Sequence, residues 1–575
     1  MLGLKTPRLS LTSFAGHLRP SQRTSLAALA SGGLPGRWLF VGLCAFEMVA
    51  SVMLGGGTHP GFLSDAILQL VSIPLLLVAL SQLTGKQRSH QGKAVKVALL
   101  ICFLIVLVPV IQLVSLPPSL WASMPGRKPL TDAFDLLGQA PPWMPVSVSP
   151  HATWLGALSL LPAVALFLGV IQLTRRERRM LGLVVLAIGA VSVFLGLLQV
   201  AQGPSSGLRF FRVTNLSEAV GFFANRNHFA ALIYCLLVLT AAWATEVAFT
   251  AGSWEDRKNL QTSSIALLTM GFVGLVVLIA AESMARSRAG LGLTIVALCG
   301  AFALGVFDPR NAKGVTPRKM ILGATVFAVM FSVQFALYRI LERFTADPLD
   351  DSRIPFARNT IEAASSYMPF GSGIGTFVPV YAMFEKPQDL YANVFANHAH
   401  NDVLELWLET GATGVAILVA FSLWFLLRAA RAWWPGRSGG SDLDRNIARA
   451  ATLIIALLIV HSFFDYPLRT NALMAIFAFA CALLVDPLAA EAMAEPAGAD
   501  LRHEGHRQGS HDKRERAAGP RQPPAMPANP VRESVRLPAE ARGRWGEDVP
   551  WPDQWREHGD KEKKPQAQER KDPTD

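Results

Sequence analysis

Charge is scarce in this chain. Asp, Glu, Lys and Arg make up 17% of its 575 residues, against 51% hydrophobic. Ordinary soluble domains carry roughly a quarter charged residues, so a large water-soluble enzyme is a poor fit. Cysteine is scarce too. The five (Cys44, Cys102, Cys235, Cys299, Cys481) all fall within apolar runs, and none stands in a C-x-x-C spacing. They read as small apolar packing residues rather than metal ligands or disulfide partners.

Acids within the apolar runs are few. Glu47, Glu246 and Glu282 are placed near run ends, and the array of mid-depth charges expected of an ion-coupled transporter is missing. The glycine-rich stretch Gly371-Ser372-Gly373-Ile374-Gly375-Thr376 lacks the lysine of a phosphate-binding loop and reads as a turn. The first 37 residues lack an early apolar stretch, so no cleavable signal peptide is expected. The net charge of +11 comes with no nucleic-acid module; Lys and Arg collect in short loops, as the positive-inside rule expects, and no nucleic-acid partner is expected.

Long apolar runs are plentiful. Val97–Leu116 carries no charge, and a membrane span needs roughly 20 such residues. The expectation is an all-α polytopic membrane protein with about twelve transmembrane helices, both termini in the cytoplasm. The spans are placed at Trp38–Leu54, Asp65–Leu83, Val97–Leu116, Thr153–Leu173, Met180–Gln202, Phe229–Phe249, Ser264–Ala281, Leu291–Phe307, Ile321–Tyr338, Val403–Leu427, Ile447–Phe464 and Asn471–Val485. Basic loops such as Arg175-Arg176-Glu177-Arg178-Arg179 alternate sides consistently with that count. Three regions follow: a cytoplasmic segment 1–37, a membrane domain 38–485, and a tail 486–575. The tail is rich in Pro, Arg, Glu and Gln and is expected to be disordered. A large outer loop, 339–402, separates spans nine and ten. Its length points to function, and its aromatics (Tyr367, Phe370, Phe377, Tyr381, Phe384) argue against disorder. The outer loop 117–152 holds Trp121 and Trp143, rings suited to the headgroup region.

The outer face of this topology gathers Arg212, Asn225, Asn227, His228, Arg286, Arg288, Arg353, Arg358, His398, His400, Asn401, Asp465 and Arg469. Arginines on the disfavoured side need a reason, and phosphate is a natural partner for the planar guanidinium fork. The bland alternative is local pairing with carboxylates or headgroups, and it is preferred for Arg209 and Arg226. Asn397-His398-Ala399-His400-Asn401-Asp402 opens an apolar helix. A polar helix cap would look the same, but a histidine near neutral pKa could take a proton from a sugar hydroxyl. Helical spacing puts Asn401, Glu405, Glu409 and Ala412 on one face, which must turn away from lipid. Gly411 and Gly414 are spaced for close helix packing.

His400-Asn401, nine residues, then Gly411-Ala412-Thr413-Gly414 resembles the His-Asn/Ser/Gln-x9-Gly-x-x-Gly signature of the O-antigen ligase and polymerase family. Asn225-Arg226-Asn227-His228, Ser287-Arg288-Ala289-Gly290, Asp351-Ser352-Arg353, Gly371–Phe377 and Asp465-Tyr466-Pro467-Leu468-Arg469 agree with it. The resemblance is strongest over about 200–485. It implies a multi-pass glycosyltransferase of the bacterial inner membrane with its site on the periplasmic face. The donor would be a glycan on undecaprenyl diphosphate, with no metal or other cofactor. Carried over by motif position, Arg288 and Arg353 would hold the donor diphosphate and His400 would activate the acceptor hydroxyl. Arg212, Asn225, Asn227, His398, Asn401, Asp465 and Arg469 would line the donor and acceptor sites. The ligases' Arg-x3-Leu pattern is not met at Arg288, where leucines follow at 291 and 293. The acceptor stays open: lipid A-core, another lipid-linked repeat, or protein. A transporter or flippase without chemistry, and a scaffold acting through its tail, are the other readings.

Overall fold

The computed structural model describes residues 34–487 apart from 60, 84–91, 252–261, 309, 311–347, 391–394 and 435–440. These all lie in one compact unit, residues 1–497. The expected span at 321–338, the segment before residue 34 and the tail beyond 487 lie outside the described residues.

The unit is helical, in chain order α1 (Leu34–Leu54), α2 (Leu63–Leu83), α3 (Lys93–Gln112), α4 (Pro118–Ala122), α5 (Lys128–Leu136), α6 (Pro150–Ser159) and α7 (Leu161–Val170). Then come α8 (Arg175–Gln202), α9 (Arg226–Ala251), α10 (Thr262–Ala285), α11 (Arg288–Val306), α12 (Pro348–Ser366) and α13 (Phe377–Phe384). Last are α14 (Asp402–Trp433), α15 (Asp442–His461) and α16 (Asn471–Leu483). Among the described residues, nine helical segments are long and apolar enough to cross a membrane. Their outward faces are apolar: Leu70, Leu77, Phe103, Val110, Phe194 and Leu426 are exposed. In water such a surface would aggregate; lipid accommodates it.

Two expected spans fall outside these nine. The α15 stretch starts with Asp442, Asp444, Arg445 and Arg449, and it is not among the nine. The α16 helix has 13 residues, about 20 Å of helix against the roughly 30 Å of a hydrocarbon core. Its chain stays buried between neighbours, with Leu473, Phe479 and Cys481 in the core. Glu47 also differs from its expected place. It sits inside α1 rather than at its end, buried and accepting from Ser72 Oγ at 2.8 Å. Cys299 is exposed rather than packed.

At the centre is α9, which packs against α8, α10, α11 and α15. Its run Phe229–Leu239 is buried on every side, as its uniformly apolar sequence requires. The loop between α3 and α6 is folded rather than loose. It contains a two-stranded antiparallel ribbon pairing Ser115 with Pro145 and Leu116 with Met144. Trp121 is fully buried there, its indole N–H donating to the Pro145 carbonyl at 3.0 Å, so it is not a headgroup anchor. Trp143 is exposed.

The described part of the large loop has its own apolar core. Phe356 from α12, Tyr367 just after it, Phe377 and Tyr381 from α13, Ala399 and Leu408 cluster together. This core docks the loop on the first turns of α14 and so fixes α12 beside them.

Candidate active site

The start of α14 is built by its own first residues. Asn401 caps it, its side-chain oxygen accepting from the Val403 and Leu404 amides at 3.0 Å. Asp402 and Glu405 in the first turn oppose the positive end of the helix dipole. Asn401 Nδ2 also donates to the Phe463 carbonyl at 3.0 Å, and the Asp402 amide to the Ser462 carbonyl at 2.8 Å. The α14 mouth is thereby stitched to the connection between α15 and α16.

That connection carries Asp465. His400 Nδ1 lies 3.0 Å from Asp465 Oδ1, and Asn227 Nδ2 donates to Oδ2 at 2.6 Å. Asn227 Oδ1 accepts from Ser287 Oγ at 2.8 Å. Ser287 caps α11, its Oγ accepting from the Gly290 amide at 3.0 Å. A continuous hydrogen-bonded line therefore runs Ser287–Asn227–Asp465–His400 through four distant sequence motifs. Burial alone would raise the Asp465 carboxyl pKa, but the His400 hydrogen bond and the surrounding imidazoles hold it well below the usual range. The His400 ring is stacked on Phe356 at 6.0 Å and meets the Tyr466 ring edge-on at 5.0 Å. His400 has a positive φ of 50°, a sparsely populated region for a residue with a β-carbon. Its side chain remains partly exposed, 24%. Nδ1 is committed to the carboxylate. Among the described residues Nε2 has no hydrogen bond, and it is the nitrogen open to a substrate.

His398 is differently placed. Its Nδ1 pairs with Glu405 Oε1 at 2.8 Å and its Nε2 with the Thr58 carbonyl at 3.0 Å. Burial opposes its charge, but Glu405 more than compensates and its pKa is raised. With both nitrogens occupied, His398 is a tether, and of the two histidines His400 alone presents an open nitrogen.

Arg469 faces three carboxylates of α14: Asp402 at 3.5 Å, Glu405 at 3.4 Å and Glu409 at 2.7 Å. Its guanidinium binds the buried acidic face that the spacing anticipates through Glu405 and Glu409. Ala412 does not share that face; it is exposed. The cause is Gly411, at φ 58° and ψ −145°, which breaks the helical register. A β-carbon at Gly411 would come 2.2 Å from the Pro369 carbonyl oxygen. The glycine loop fits into this break: Ser372 and Gly373 amides donate to the Leu408 and Glu409 carbonyls at 2.9 Å, and the Ala412 amide to Pro369 at 2.9 Å. The Gly375 amide reaches Glu409 Oε1 at 2.8 Å, and Gln112 at the end of α3 donates to the Glu409 carbonyl at 2.8 Å. Gly411 thus serves loop docking rather than the helix–helix contact expected from its spacing.

The remaining expected residues divide. Asn225 hydrogen-bonds the Tyr466 hydroxyl and, through Oδ1, the Asn227 amide at 2.8 Å. Arg288 is the first residue of α11, next to Ser287. Arg353 lies on α12, three residues before Phe356, and within electrostatic range of His461. Arg212 is exposed in the link between α8 and α9, without a hydrogen bond or ion pair to the His400 cluster among the described residues. Arg209 binds the Asn215 and Glu218 carbonyls at 2.6 and 3.0 Å, and Arg226 pairs with Glu218 at 3.2 Å, the local partners expected of them. His228 is fully buried against Tyr466, with ring centroids 4.8 Å apart.

Sequence reasoning passes over Ser287 as a relay member, Phe356 and Tyr466 as walls around His400, and Thr58. A signal for Thr58 is present in Gly55-Gly56-Gly57. A β-carbon at Gly56 would lie 2.1 Å from the Phe222 carbonyl oxygen, and triple glycine is a recognisable mark of such close approach.

The arrangement defines a class: a helical membrane protein with a carboxylate-held histidine and several arginines at one end of its bundle. Residues 226–419 match the family model described as O-antigen ligase. The matched stretch covers less than half of the chain, and its likeness to that family agrees with the apolar helices of a membrane protein. The match includes Asn227, Arg288, Arg353 and His400 and stops short of Asp465 and Arg469. No curated protein matches the chain.

Proposed function

We propose that the protein transfers or polymerises an undecaprenyl-diphosphate-linked glycan at the periplasmic face of the bacterial inner membrane. The observation that carries this reading is the His400 Nδ1–Asp465 Oδ1 pair at 3.0 Å, on a side chain that stays partly exposed. A buried carboxylate on one imidazole nitrogen fixes the tautomer and makes the other nitrogen the proton acceptor. In the reaction, His400 Nε2 takes the proton of the acceptor hydroxyl as its oxygen attacks the anomeric carbon. The bond from that carbon to the diphosphate oxygen breaks, and attack from the opposite side inverts the centre. Arg288 and Arg353 receive the diphosphate and offset the charge that grows on it. Asn227 and Ser287 hold Asp465 in register. Arg469, Asn401 and His398 shape the site rather than touch the donor. The acceptor is lipid A-core in a ligase or another lipid-linked repeat in a polymerase; a hydroxyl of a protein side chain would serve the same chemistry.

The test is glycan profiling of a deletion strain complemented with wild type or His400→Ala, with membrane levels matched. Loss of long glycan with accumulation of lipid-linked repeats supports the proposal. Free lipid A-core then marks a ligase, and capped single repeats a polymerase. Normal glycan from His400→Ala overturns it.

A further inference from the structure

At the end of the bundle away from His400, four helix ends converge: the starts of α8 and α15 and the ends of α14 and α16. They line a cavity of about 70 Å³ that opens to solvent, bordered by Arg175, Arg178, Arg179, Arg428, Arg431 and Arg445. Two carboxylates, Asp444 and Asp486, share the lining, with Ile447, Leu484 and Val485 as apolar walls.

The arginines divide by task. Arg178 is buried and donates to backbone carbonyls of Val170, Ile171, Leu173, Ala482 and Val485 at 2.6–3.1 Å. Arg428 Nε donates to the Leu484 carbonyl at 2.6 Å. These two hold the ends of α7 and α16. Arg179 is bidentate on Asp444, at 2.7 and 2.8 Å. Arg445 pairs with Asp442 through Nη2, but its Nε is buried with no hydrogen-bond partner. The positive charge in this cavity exceeds the two carboxylates that line it. The field of Arg175 on Arg178, and of Arg431 on Arg428, is that of like charges in proximity. The N-terminal ends of α8 and α15, both closed by capping boxes, add the same sign. Sorting by membrane side explains why such arginines lie at one end. It does not explain why six converge on one cavity and leave a buried guanidinium nitrogen unmet.

We propose that this cavity binds an anionic phosphate group, with a phospholipid headgroup as its occupant. Guanidinium forks match phosphate oxygens. Basic pockets between membrane helices are suited to anionic headgroups. The apolar walls give the glycerol and first acyl carbons a surface that a free phosphate ion would not use. The site is independent of the transfer chemistry proposed above.

The test uses full-length protein in nanodiscs of phosphatidylcholine alone or with phosphatidylglycerol, read by thermal unfolding midpoint and by native mass spectrometry of retained lipid. A bound ligand raises the midpoint by mass action. Phosphatidylglycerol is expected to raise it by several degrees and to leave adducts in wild type. Arg431→Gln with Arg445→Gln should lose both effects, and the Lys pair at the same positions should keep part of each. Arg176→Gln, at the same membrane level but outside the cavity lining, should behave as wild type. Inorganic phosphate added to phosphatidylcholine discs is the second arm. If it alone reproduces the shift, the phosphate site stands but the lipid assignment is overturned. Equal loss in Arg176→Gln reduces the effect to diffuse surface charge and overturns the site, as does an unchanged lipid response in the glutamine pair.

Discussion

The Asp465 carboxylate is buried and accepts from His400 and Asn227 at once, so its chemistry follows from geometry. An amide in its place would offer an N–H to Nδ1 and favour the tautomer whose Nε2 cannot accept a proton. Asp465→Asn should therefore cut the transfer rate roughly 100-fold or more, the range for losing general-base catalysis, with substrate KM little changed in an in-vitro assay. A mere decline in membrane level at unchanged specific activity would contradict this. Ser287→Ala removes the donor that orients the Asn227 amide. It should lower kcat by about tenfold and cost about 1 kcal/mol as a lost helix cap. Ser287→Thr should restore both, and recovered stability without recovered kcat would break the proposed relay. Arg353→Lys should be a poor substitute for arginine, since an ammonium lacks the bidentate fork; full activity in Arg353→Ala would remove this residue from the donor site.

At the scale of elements, the kink in α14 and the tether at His398 set where the His400 loop sits. Gly411→Ala places a β-carbon 2.2 Å from the Pro369 oxygen in a left-handed backbone conformation. Beyond roughly 1–2 kcal/mol for the conformation itself, the clash must push the glycine loop off α14. A lowered unfolding midpoint and faster proteolysis within 369–376 are the expected readouts. The His398–Glu405 pair makes stability pH-dependent. The His398 pKa is raised above its ordinary 6.5. Its contribution is fully present below that ordinary value and is lost as pH rises through the raised one. Asp465, held below its ordinary 3.8, contributes in the opposite sense: present above that value, lost as pH falls toward the depressed one. Thermal midpoints should be highest between these limits. His398→Gln should flatten the alkaline decline and leave the acid limb in place.

For the whole molecule, the nine candidate spans among the described residues and the apolar exposed faces confirm a polytopic helical membrane protein. The charged start of α15 and the shortness of α16 keep both out of those nine, although α15 runs from the far end of the bundle to the His400 end and α16 runs back. A run can be apolar because it is buried among helices rather than because it meets lipid. The transfer reading predicts that removing residues from 490 onward leaves long glycan in a complemented deletion strain. Loss of glycan with the truncated protein at normal membrane level would favour a scaffold role for the tail.

The sequence by itself determined membrane class, most helix positions and the cluster of motifs, because hydropathy runs and caps are local. It also marked His400 by spacing to Gly411. Tertiary structure decided the partners. Asp465 lies 65 positions from His400 and Asn227 lies 238 from Asp465, and no local pattern reports such partners. The same holds for Arg469, which the sequence offers as a substrate ligand and the fold places among three α14 carboxylates. An arginine looks identical in sequence whether its counter-charge is a phosphate or a buried glutamate. Only the packing of distant segments supplies one or the other.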